Sequence, residues 1–105
     1  MTHKEVIEMV DEMGLPSAYD HFAEGESPEP PFVVYLYPKA NHFAADGKVY
    51  FKINQLNIEL YTDIKDVELE QKLEAVLDLH GIFYVKSEVW IESEHLYEVL
   101  YEMEV

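Results

Sequence analysis

The stretch that decides the fold is Leu56–Val105, LNIELYTDIKDVELEQKLEAVLDLHGIFYVKSEVWIESEHLYEVLYEMEV. Its middle, Asp66–His80, carries Leu69, Leu73, Val76, Leu77 and His80 at helical spacing, one apolar stripe ending on a histidine. Glu68, Glu70, Lys72, Glu74 and Asp78 fall mainly off that stripe. Asp63 or Asp66 is expected to cap this helix, and Gly81 suits the position just after its end. Before the helix, Leu56, Ile58 and Leu60 alternate with Asn57, Glu59 and Tyr61, the period of a strand. After it, Ile82–Trp90 reads as a strand and Glu92-Ser93-Glu94 as a turn. The last strand is the clearest. Tyr97, Val99, Tyr101, Met103 and Val105 share one side, while Glu98, Glu102 and Glu104, with Leu100 among them, share the other. One face is expected to be packed and the other wet and acidic.

Toward the N-terminus, Val49, Phe51 and Ile53 alternate with Lys48, Tyr50 and Lys52. The parity slips before Leu56, so a turn or bulge at Asn54-Gln55 separates two short strands. Pro38–Gly47 reads as a loop with a turn at Asp46-Gly47, and Phe43 in it is either a plug on the core or an exposed anchor for a partner. Phe32–Tyr37 is apolar on both faces and ends at Pro38, which fits a buried strand or a strand at a subunit contact. Glu24–Pro31 is rich in proline and glutamate and reads as an extended linker. Thr2, with Glu5 at the capping-box position, opens a first helix that Gly14 and Pro16 stop. Tyr19 and Phe22 follow it with no assigned element. The expected organisation is one domain of 105 residues: a helical segment over 1–23, a linker over 24–31 and a β-β-β-α-β-β core over 32–105. The fold class is α+β, an antiparallel sheet of about four to five strands with one main helix packed across it, plus the N-terminal helix.

Charge is the loudest global feature. Twenty-two acidic residues against seven basic ones give a formal net charge of −15. Such a surface repels phosphate, which argues against binding free nucleic acid or anionic membranes. It fits a solubilising surface, a wall that faces DNA without holding it, or a DNA mimic that fills a basic groove on another protein. The lack of cysteine in so small a chain favours a reducing compartment. No apolar run approaches the roughly 20 residues of a membrane span, and Met1–Glu5 does not open a signal peptide.

The sequence offers no catalytic constellation. His3, His21, His42, His80 and His95 are scattered, and no pair has metal-ligand spacing on a helix. His95 beside Glu92 and Glu94 reads as a solvated turn rather than a metal site. Ser17, Ser27, Ser87 and Ser93 lack a neighbouring base, and there is no glycine-rich phosphate loop. No enzyme activity, metal or cofactor is expected. The eight tyrosines, most of them in strands, suit either sheet edges of a monomer or a partner-binding surface.

A set of spaced residues carries a resemblance. These are Ala45-Asp46, Lys48-Val49-Tyr50, Ile58-Glu59-Leu60-Tyr61-Thr62, Lys65-Asp66 and Glu70, then Phe83, Lys86, Ile91-Glu92-Ser93-Glu94, Tyr97 and Tyr101. From about Pro31 onward the chain resembles the head–tail joining or tail-completion proteins of long-tailed phages and prophages. The resemblance implies an α+β fold and a ring at the junction between head connector and tail tube, in the virion or in the host cytoplasm during assembly. It implies phage connector and tail proteins as partners and brings no catalytic residues with it. A negative lumen would let DNA slide without sticking. The residues expected at protein contacts are Phe43, Asp46, Tyr61, Glu98 and Glu102. The alternative expectation is an acidic DNA mimic that inhibits a host nucleic-acid-handling protein.

Overall fold

The computed structural model describes the backbone of all 105 residues and every side chain except those of residues 43–45 and 49–51. The elements run α1 (His3–Asp11), β1 (Ser17–Tyr19), β2 (Phe32–Leu36), β3 (Phe43–Ala45), β4 (Lys48–Phe51), β5 (Gln55–Thr62), α2 (Val67–Leu79), β6 (Tyr84–Ile91) and β7 (Leu96–Glu104). The main sheet has the order β1-β2-β5-β7-β6, and β3 and β4 form a separate hairpin. All neighbours in the main sheet are antiparallel except β1 and β2, which are parallel. The α+β class is therefore as expected, with one parallel pair added at an edge.

Both helices start where local chemistry dictates. The Thr2 hydroxyl accepts from the Glu5 N–H at 3.2 Å, and the Glu5 carboxylate accepts from the Thr2 N–H at 2.9 Å. This reciprocal box holds the Glu5 carboxyl below its ordinary range, the backbone N–H of Thr2 being the main cause. Asp66, not Asp63, caps α2 by accepting from the Leu69 N–H at 3.0 Å. Gly81 follows the helix at a φ of +68°, a conformation glycine adopts without steric cost.

Strict alternation along β5 builds the core. Leu56, Ile58, Leu60 and Thr62 are buried and Gln55, Asn57, Glu59 and Tyr61 point the other way. Their cross-strand partners continue the same face: Val33 and Tyr35 on β2, and Val99, Tyr101 and Met103 on β7. Against that face lie Val6, Met9 and Val10 of α1 and Leu73 and Leu77 of α2. Burying each such leucine stabilises the fold by about 2 kcal/mol. Both helices thus cover one face, and the other face of the sheet carries no helix.

Four features differ from the sequence expectation. Within the expected loop Pro38–Gly47, Phe43–Ala45 is β3, so four strands rather than three precede α2 in the segment 32–105. Ser17–Tyr19, left without an element, is β1, and it runs beside β2 from Ser17 opposite Val33 to Tyr19 opposite Tyr35. Asn54-Gln55 is not a simple turn between two strands of one sheet. β4 belongs to the hairpin, and the main sheet resumes at Gln55. Glu70 is not on the wet side of α2, since it is 2% exposed. It lies three residues before Leu73 and seven before Leu77, in line with the buried stripe.

Candidate functional site

The helix-free face is a grid fixed by strand register. One row runs Phe32, Tyr61, Glu98, Val89, the next Val34, Glu59, Leu100, Ser87, and the third Leu36, Asn57, Glu102, Val85. At the β2 end this face is covered: Phe32 and Val34 are buried, Phe22 packs edge-on to Phe32 at 5.3 Å, and Phe32 stacks on Tyr61 at 5.2 Å. At the β7–β6 end it is open, with Val85 and Val89 more than half exposed.

The open part is acidic and short of cations. The Tyr61 hydroxyl donates to Glu59 at 2.7 Å. Glu98 is cross-strand to Tyr61, and burial together with the nearby Glu59 charge raises its carboxyl above the ordinary range. Burial first, then the hydrogen bond to Glu59, raises the Tyr61 phenol as well. Gln55 donates to Asn57 at 3.0 Å and to Glu102 at 3.4 Å. The rows place no lysine on this face of β2, β5, β7 or β6. A cation brought here would meet carboxylates that have no partner of opposite charge on the same face among the described residues.

The cations lie on the other side. Under α2, Glu70 accepts from Lys65 at 2.6 Å and from Lys86 at 2.8 Å. Lys86 also reaches Glu74 at 2.8 Å, Lys65 pairs with Glu88, and the buried Tyr101 hydroxyl donates to Glu74 at 2.8 Å. Burial opposes the charge on Lys86, but Glu70 and Glu74 outweigh it and hold the ammonium above its ordinary range. The network satisfies its members, and no buried side-chain polar atom lacks a partner among the described residues. Its chemistry is that of a structural polar layer. Among the described residues no three metal-ligating side chains gather.

At the start of β6 the surface opens into a groove of about 780 Å³. Ile82, Phe83, Val85, Met103 and Val105 supply apolar walls, and Glu102 and Glu104 line it as well. Phe83 is 84% exposed.

Of the residues expected at contacts, Tyr61 and Glu98 are direct cross-strand neighbours, and Glu102 shares their face. Asp46 sits apart, exposed at the β3–β4 turn with a φ of +53°. Phe43 falls outside the described side chains. The histidines are dispersed: His3 bonds Tyr37, His21 Asp20, His42 the Ile53 N–H, and His80 Glu12, while the His95 ring lies near Trp90. Sequence reasoning missed the outer strand β6 as a surface feature. Its signal was available in Val85, Val89 and Trp90, apolar residues on both sides of a strand that then proves to be an edge.

Among the described residues no helix is long and apolar enough to cross a membrane. Compared with models of known protein families and with curated proteins, the chain matches none.

Proposed function

We propose that this chain is a structural subunit of tailed-phage or prophage morphogenesis, a head–tail joining or tail-completion protein. In this reading it has no enzymatic activity and assembles as a ring on a connector. The observation that carries it is the acidic half of the helix-free face, where Glu98 and Glu102 share a side with Tyr61 and the strand register places no lysine among the described residues. Such a face suits contact with another protein and repels DNA that passes beside it. Support also comes from the resemblance of the segment after Pro31. A net charge of −15 opposes association of free copies, so the ring forms on its template rather than in isolation.

The test is genetic. Deleting the gene from its phage or prophage and imaging the induced particles should reveal separate filled heads and finished tails. Intact, infectious particles would overturn the reading. A mutant with normal particles whose purified protein strips a nucleic-acid enzyme from DNA would move the assignment to the DNA mimic.

A further inference from the structure

We propose that the outer edge of β6, with the groove at its start, docks an extended lysine- or arginine-bearing segment of a partner protein, which adds to the sheet beside β6. The inference names the partner chemistry for the assembly reading above and rests on that reading for its biological setting.

The two edges of the main sheet are treated differently. β1 is only three residues long, a common way to blunt an edge. β6 is eight residues long, pairs in unbroken register with β7, and contains neither proline nor glycine. Its outer backbone groups form a row that another extended chain can pair with. Its exposed apolar side chains are Val85 at 55% and Val89 at 51% on the helix-free face, with Ser87 between them, and Trp90 at 40% on the other face, where Lys86 and Glu88 also lie.

Charge selects the occupant. Val85 lies opposite Glu102 and Val89 opposite Glu98, so an added strand sits two strand spacings, about 10 Å, from both carboxylates. A lysine or arginine reaching back over the valines closes that gap. The lysines nearest this edge, Lys65 and Lys86, are already held by Glu70, Glu74 and Glu88. A second copy of the chain brings the same acids and a charge of −15, and is therefore opposed. The groove beside Phe83 and Val85 offers room for one apolar anchor of the incoming segment.

The probe is a blocked seven-residue peptide of alternating lysine and valine, with a glutamate–valine peptide as control. It is titrated into the full chain while backbone amide resonances and peptide anisotropy are followed. The lysine peptide should bind saturably, shift amides mainly within 84–91, and weaken as salt rises from about 50 to about 300 mM. The glutamate peptide should not bind. Val89→Lys, on a half-exposed side chain opposite Glu98, should weaken binding about tenfold without lowering the melting temperature, and Glu102→Gln should weaken it about threefold. Absence of binding at about 1 mM peptide, equal binding of both peptides, or shifts centred elsewhere would overturn the proposal. So would a dimer, seen by sedimentation, that Val89→Lys dissolves, because a second copy would then own the edge. Peptide failure leaves the particle experiment above untouched, and intact particles leave the peptide result standing.

Discussion

Lys86 Nζ lies 2.8 Å from Glu70 Oε1 beneath α2, and the Glu70 side chain is only 3% exposed. A glutamate on the buried stripe of a helix thereby becomes the centre of a two-lysine clamp. Lys65 reaches it from the loop before α2, and Lys86 reaches it from β6. The clamp ties α2 to the outer strand.

Glu70→Ala removes the common acceptor of both lysines. Breaking a fully buried pair costs about 3–5 kcal/mol, but Lys65 and Lys86 are each more than a third exposed and water recovers part of the loss. The expected loss is about 2 kcal/mol in urea unfolding, seen as a lower midpoint with an unchanged slope. A loss below about 0.5 kcal/mol would mean that water serves these lysines as well as Glu70 does.

The same pair sets an acid limb. Burial pushes the Glu70 carboxyl up, but the hydrogen bonds from Lys65 and Lys86 outweigh it and leave it below the ordinary value of 4.5. A lowered folded-state pKa stabilises fully above the unfolded value and is lost as pH falls through the folded one. The penalty of Glu70→Gln should therefore be complete at pH 7 and shrink below about pH 4.5. Melting curves of both proteins across that range check it.

Glu98 should behave in the opposite sense. Burial and the Glu59 charge raise its carboxyl, so its ionisation opposes folding and the cost appears as pH rises through the folded-state value. Glu98→Gln should raise the melting temperature at pH 7, and the gain should fade toward pH 4, where the native carboxyl is protonated. A Gln variant less stable than the parent at pH 7 would show that the ionised carboxylate has a partner on this face.

Much of the fold was legible because the two longest signals are unambiguous. β5 alternates without a break, β7 alternates in burial from Glu98 to Met103, and Leu73 and Leu77 mark the buried side of α2. What escaped has physical causes. β1 is three residues long, too short for a period, and exists because β2 offers it a parallel ladder. Charge alone sets Glu70 off the apolar stripe, and only Lys65 and Lys86, distant from each other in sequence, make its burial tolerable. The acidic face of β7 was readable from Glu98, Glu102 and Glu104. That β6 would close the sheet on one side, leaving Val85 and Val89 uncovered, depends on strand order, which alternation does not encode.

Tyr101→Phe isolates one bond of the polar layer. The hydroxyl donates to Glu74 from a fully buried ring, while Glu74 keeps Lys86. The loss should be about 1 kcal/mol in urea unfolding, with the ring packing retained. A loss above about 3 kcal/mol would show that the hydroxyl organises the whole clamp.

The overall charge adds a salt dependence. Twenty-two acids against seven lysines repel one another, and salt screens that repulsion. The melting temperature should rise between about 10 and about 300 mM sodium chloride. A flat response would mean that the unpaired acids are spread too widely to repel one another appreciably.

The most direct measurement of the assembly account is native mass spectrometry of the purified chain mixed with the connector proteins of its own genome. The account predicts one closed ring, a fixed number of copies per connector, formed only when the connector is present. A chain that stays a free monomer beside an intact connector would contradict it.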